Sequence, residues 1–365
     1  MAANRYWLGG AVAVPEVKAY VFALTWATGD TASITINGKT LTLTAGATAT
    51  VAQVTLDMID MINGAAKNGT ETRSALGSEV GEFAILTATG GTTGQVVITG
   101  PANGRPIGTV TLASATVGDG TWAEVGGAPD TTGDGPNHWT NVDNWDADTL
   151  PVATDTIIFD HRAMSSPLFG ATMAFAPDRI VVTDGFKYSL GLPAVNRDSA
   201  SHPFDEHLEQ YIIATSCADV RINAINAGAI KLSMSSAAAA STIVVDGTGR
   251  AAETGIPACL LKVNYNTSDV TVNNGSVGIC LEPTTAGSIR TLTVGGAGSP
   301  SVTVGDTVTL VTVLSNSGST IIQTAPTTIT INGGSVEQKG AAIGATTLNV
   351  NGGTFFPKTA GSTYT

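Results

Sequence analysis

Runs of alternating apolar and polar residues recur along this chain, and they fall into two zones. In the first, Ser33-Ile34-Thr35-Ile36 and Lys39 to Thr44 alternate on either side of Asn37-Gly38. Asn-Gly accommodates positive φ at both central turn positions, so the pattern predicts a hairpin with a type I′ turn. A different period follows. Val51, Val54, Met58, Met61 and Ile62 share one face at helical spacing, which predicts a helix over about 49–66. Thr48 or Thr50 supplies the N-cap, and Asn63-Gly64 weakens the other end. Alternation returns at Glu82 to Thr89, Gln95 to Thr99 and Thr109 to Ala113. Strands around a single helix predict a small α+β domain over residues 13–125.

The second zone repeats. After a strand at Asp155 to Asp160, three segments align: Ser268 to Val277, Thr327 to Val336 and Thr346 to Phe355. Each is a short alternating run, an Asn-Gly or Asn-Gly-Gly step, then Ser-Val or Thr-Phe. The last two are offset by 19 residues, and the first precedes the second by 59, close to three periods. Weaker copies occur at Asp178 to Gly185, Asp219 to Asn223, Thr242 to Gly247 and Arg290 to Gly296. A fixed period near 20, with a strand and a turn in each unit, predicts a solenoid. Val, Ile and Leu point inward, Thr, Ser and Asn outward, and the Asn side chains of successive corners can form a hydrogen-bonded ladder. The expected fold is mainly β: the α+β domain, then a single-stranded parallel, right-handed β-helix over 154–365. Phe355, Phe356 and Tyr364 stand where its last coil needs cover.

Two segments remain. Residues 1–12 read as an N-terminal strand or anchor, and residues 126–153 as a linker and Trp-rich cap. Trp139 and Trp145 flank a short turn, and two large rings there can plug an open first coil. Asn137, Asn141 and Asn144 can bond the turn backbone. Sugar stacking is the rival role for these rings.

Composition agrees with tight sheet stacking. Charged residues are 13% of the chain, about half the usual fraction. Glycine, at 43 residues, is abundant, while 42% hydrophobic residues supply a core. The net charge of −12 disfavours nucleic acid and anionic membranes as partners. No apolar run is long enough to predict a membrane span, and the first residues lack a secretory pattern. Cys217, Cys259 and Cys280 are too few for a disulfide framework and lack zinc spacing. They read as core thiols on related positions of different coils.

Candidate chemistry is sparse. His202-Pro203-Phe204-Asp205-Glu206-His207 could bind a metal or shuttle a proton, but it also fits a solvated loop. Gly118-Asp119-Gly120 and Gly133-Asp134-Gly135 lack the nine-residue period of calcium-binding solenoids. Glycoside hydrolysis needs two carboxylates across a groove. The spacing of Asp246, Glu253, Asp269, Glu282, Asp306 and Glu337 selects no such pair. No catalytic, metal or cofactor-binding residue is therefore assigned, and no enzymatic activity is expected.

The opening Arg5-Tyr6-Trp7-Leu8-Gly9-Gly10 resembles the RYWVGG start of many tailed-bacteriophage virion proteins. Asn137 to Trp145, with Asn144 and Trp145 followed by Leu150-Pro151 and Asp155 to Phe159, is similar to a segment that leads into phage and bacterial surface β-helices. The resemblance implies a structural virion protein, and the role expected for it is capsid decoration or cement, on the capsid exterior. Expected partners are further copies, as a homotrimer, and the major capsid protein or other virion proteins. Trp139, Asn144, Trp145 and Pro151 are the expected cap, and Arg5, Tyr6 and Trp7 the expected anchor. A tail fibre, spike or adhesin that binds host glycans is the alternative. A polysaccharide-degrading enzyme stands behind both.

Overall fold

A computed structural model describes residues 3–91, 93–117, 119–125, 130–169, 177–191, 212–214, 217–234, 241–249, 256–264, 266–281, 287–305, 308–339 and 347–357. The chain divides into two compact units. One holds residues 11–137 together with 194–209, and the latter lie outside the described residues. The other holds residues 1–10, 138–193 and 210–365.

In residues 11–137, two four-stranded sheets pair antiparallel throughout. One orders Thr87–Gly90, Gln95–Thr99, Val17–Ala23 and Thr121–Glu124; the other orders Thr72–Arg73, Lys39–Thr44, Thr31–Ile36 and Val110–Ala115. The hairpin forms as its alternation predicts. Asn37 and Gly38 have φ of 48° and 86°, and Ile34 lies opposite Leu41. Ala32, Ile34, Ile36, Leu41 and Leu43 are buried. On the other face the hydroxyls pair, Ser33 with Thr42 at 2.9 Å and Thr35 with Thr40 at 2.7 Å. The helix spans Val51–Ile62, shorter than the periodicity predicts at both ends. Thr50 Oγ1 caps it by accepting from the Gln53 amide, and Val54, Met58, Met61 and Ile62 are buried. Stacked Phe22 and Trp122, 4.0 Å apart, join the core with Trp26 and Tyr20, beside Phe83, Val96 and Ile98.

One expected strand is corrected here. Glu82 begins no strand: Gly81–Ala84 is a helical turn, and the strand starts at Thr87. The Val80 carbonyl accepts from the amides of Phe83 and Ala84, both at 2.9 Å. Glu82 and Phe83 are both buried on this turn, so the apparent alternation of the sequence does not correspond to an inward and an outward face.

The other unit is built from two long parallel sheets. Its ten-stranded sheet orders Asn4–Tyr6, Thr156–Phe159, Arg179–Val182, Asp219–Asn223, Thr242–Gly247, Asp269–Val272, Gly287–Val294, Val308–Ser315, Thr328–Ile331 and Thr347–Val350. The eight-stranded sheet orders Ile212–Ala214, Ile230–Met234, Cys259–Val263, Ser276–Ile279, Ser301–Val304, Ser319–Ile322, Ser335–Gln338 and Thr354–Phe356. From Ile212 onward, successive described strands alternate between the sheets, and each pairs with the strand two further along. Register therefore aligns side chains in columns. Ile157, Ile180, Val220, Ile243, Val270, Leu292, Val313 and Ile329 follow one another along one column, none more than 1% exposed.

All three aligned sequence repeats map onto a strand of the larger sheet, a corner, and a strand of the smaller. The corner ladder forms: Asn351 Nδ2 donates to Asn332 Oδ1 at 2.9 Å, and Asn332 Nδ2 to Asn316 Oδ1 at 3.1 Å. The step is not constant. It is 16 residues from Asn316 to Asn332 and 27 from Asp246 to Asn273. The cysteines do not share one position. Cys217 precedes a strand of the larger sheet, Cys259 opens one of the smaller, and Cys280 turns the chain with φ of 47°. Each is buried and fills a different gap, and burial raises the Cys217 thiol to about 11 and that of Cys259 to about 12.

Candidate functional site

The first rung of the ten-stranded sheet joins two segments that lie far apart in the chain. Asn4–Tyr6 runs parallel to Thr156–Phe159, and Trp7 continues the rung by donating its amide to Ile158 at 3.0 Å. An end rung leaves one side of its apolar residues without a neighbour, and here large rings cover it. Trp7 meets Trp145 edge to face with centroids 5.4 Å apart. Trp145 is followed by Phe159 at 6.5 Å, and Phe159 by Phe186 at 5.7 Å. Trp7 is 0% exposed, Trp145 1% and Trp139 3%. Buried indole N–H groups need acceptors: Trp7 Nε1 donates to the Ser165 carbonyl at 3.0 Å, and Trp145 Nε1 to the Trp139 carbonyl at 2.9 Å.

Polar groups fix the rings in place. Asn144 is fully buried. Its Nδ2 donates to the His138 carbonyl at 2.7 Å, and its own carbonyl accepts from Leu8 and Gly9. Tyr6 and Asp146 bond reciprocally: the Tyr6 amide donates to Asp146 Oδ1, and the Asp146 amide to the Tyr6 carbonyl, both at 3.1 Å. The Arg162 guanidinium lies 3.1 Å from the Tyr6 ring centroid and is held there by Asp160. Pro151 is buried in the loop that leads to Asp155.

Asp155 ties the two segments together. Its carboxylate accepts from the Ala3 amide at 3.0 Å, the Val152 amide at 3.0 Å and Arg5 Nε at 3.2 Å. Burial pushes its pKa up, but the Val152 and Ala3 amides and Arg5 outweigh that and hold it below the ordinary value.

The structure thus brings Arg5, Tyr6, Trp7, Trp139, Asn144 and Trp145 to one place. Arg5, Tyr6 and Trp7, the expected anchor, are engaged in closing this rung, and Trp7 has no surface left to offer a partner. Sequence reasoning missed Asp146, Arg162 and Ser165, and it assigned Asp155 no role. Asp155 stands inside the segment that resembles the β-helix lead-in, but there it reads only as the first residue of a strand.

The other candidates separate. The cluster from His202 to His207 lies outside the described residues, as do Glu253, Glu282, Asp306 and Gly118. Asp134 accepts from the Gly135 amide at 2.7 Å and pairs its backbone with Val14, as an ordinary turn residue does. Asp246 bonds Asn273, Asp269 pairs with Arg290, and Glu337 pairs with Lys339 at 3.2 Å. Among the described residues, no group of three or more His, Cys, Asp or Glu is placed to hold a metal ion, and no helix is long and apolar enough to cross a membrane.

One polar cluster has no counterpart in the sequence reading. Glu71 and Arg73 form a buried ion pair at 2.9 Å beside the helix carboxylates Asp57 and Asp60. Burial raises both aspartates above their ordinary values; Glu71 adds to the shift and Arg73 opposes it. In Asp57 the Gln53 amide, donating at 2.7 Å, also opposes it. Compared with known proteins, the chain matches no family model and no curated protein.

Proposed function

We propose that the two parallel sheets are faces of one single-stranded, right-handed β-helix, and that the chain is a structural protein of a phage virion. In this reading it is a non-enzymatic capsid-decoration protein that sits on the capsid exterior as a homotrimer and stabilises the shell through contacts between copies. The resemblance of the Arg5-Tyr6-Trp7 and Asn144-Trp145 segments to virion proteins motivates it.

The observation that carries the reading is the outward face of the ten-stranded sheet from Thr291 onward. Thr291, Thr312 and Thr328 stand in register in one column, and Thr293, Leu314 and Thr330 in the next. All six are half-buried and uncharged, and five of them are threonine. In a chain with net charge −12, such a strip lets two flat surfaces meet without desolvating like charges. Glycan recognition calls instead for exposed rings, and among the described residues only Phe356 is an exposed aromatic, at 52%.

Sedimentation velocity of the purified chain tests the proposal, together with co-sedimentation on shells of the capsid protein encoded in the same genome. A trimer that binds shells and raises their melting temperature is expected. A monomer that ignores shells and instead binds or cleaves host polysaccharide would overturn it.

A further inference from the structure

The first rung closes only if Asn4–Tyr6 finds Thr156–Phe159, and all of residues 11–137 intervene. Tyr6 and its partner Asp146 are 140 residues apart. Within residues 11–137, however, the first and last segments are joined. Val14 and Asp134 exchange both backbone hydrogen bonds, at 2.8 and 2.9 Å, and Val17 and Thr131 do the same at 2.9 Å each. Asp130 Oδ1 accepts from the Ala19 amide at 3.0 Å, and the Val125 amide donates to the Ala19 carbonyl at 2.9 Å. Val17–Ala23 then pairs with Thr121–Glu124 inside the sheet.

When this unit is folded, the loop between Trp7 and Trp145 is in effect only about 20 residues long, because the paired segments remove the rest. The chance that the ends of a flexible loop meet falls as the three-halves power of its length. Folding of residues 11–137 therefore raises the effective concentration of the N-terminal strand at its edge roughly 20-fold. We infer that residues 11–137 act as a clasp, so that closure of the first rung is coupled to the folded state of this unit. The coupling runs through the chain itself and needs no contact between the two units. It is also reciprocal: whatever stabilises residues 11–137 tightens the rung, and whatever opens them frees the backbone edge of Thr156–Phe159.

Hydrogen exchange on the full chain tests the clasp. Ile34 is fully buried in residues 11–137, so Ile34→Asp opens that unit. Exchange of the amides of residues 5–9 should then rise roughly 20-fold, while residues 328–338 keep their protection. If the variant does not fold, the wild type in rising sub-denaturing urea gives the same reading. There the amides of residues 5–9 should open together with those of residues 31–44, before those of residues 328–338. Unchanged protection of residues 5–9 while residues 31–44 exchange freely would overturn the inference, as would opening of residues 5–9 only together with residues 328–338.

Discussion

An interior rung and the first rung of the parallel sheets solve the same problem with different residues. At the interior rung Asp269–Val272, Val270 and Val272 are fully buried between like side chains, Ile243 and Val245 on one side, Leu292 and Val294 on the other. Medium-sized branched residues suffice there because each rung is covered by two neighbours much like itself. The first rung has a like neighbour on one side only. It is closed by Trp7, Trp139 and Trp145, drawn from segments that repeat nothing, and locked by Asp155. A repeating sequence can thus specify the middle of such a stack, while its end needs residues of its own.

The largest test of this difference is Trp145→Ala. Removing a buried indole should cost about 3–5 kcal/mol, against about 0.5–1.5 kcal/mol for Ile329→Val in an interior rung. Urea unfolding measures both, and equal costs would erase the distinction. Asp155→Asn comes next, at about 2 kcal/mol, because a charged acceptor of three hydrogen bonds is lost. Its sign with pH is fixed. Folding lowers the Asp155 pKa, so its contribution is fully present above the unfolded value of about 4 and is lost as pH falls through the folded value. The wild type and the variant should converge in acid and separate at neutral pH; a constant gap would show that the carboxylate charge plays no part.

Gly334→Ala probes an interior corner. Gly334 has φ of 73°, and a Cβ there would lie 2.5 Å from the Gly318 carbonyl oxygen. A cost of about 1–2 kcal/mol in thermal unfolding is expected from the backbone conformation alone. The smallest effect has the opposite sign. Thr320 points into the core between Val302 and Val336, fully buried, and among the described residues its hydroxyl has no hydrogen-bond partner. Thr320→Val keeps the shape, removes the stranded hydroxyl, and should stabilise the protein by about 1 kcal/mol.

The same contrast explains what the sequence made legible. The Asn37-Gly38 hairpin, the Val51–Ile62 helix face and the Asn332 and Asn351 corners are local or periodic, and spacing alone reveals them; Asn316, 16 residues before Asn332, is off that period and does not read as a corner. Val17–Ala23 escaped because Ala19, Tyr20 and Phe22 are all buried and break the alternation. Glu82 and Phe83 escaped for the converse reason: an alternating run closed into a turn. At the first rung, Trp139, Asn144 and Trp145 were readable as a local turn with rings. Their pairing with Trp7, and the bond from Arg5 to Asp155 across 150 residues, follow from no spacing, since nothing periodic connects the segments.

The most direct test of the proposed role is an electron-microscopic image of the particle that carries this chain, even at low resolution. Copies grouped in threes on the outside of the shell, with their parallel sheets side by side, are expected. Single copies at a tail tip, or no density on the shell, would contradict the assignment to capsid decoration.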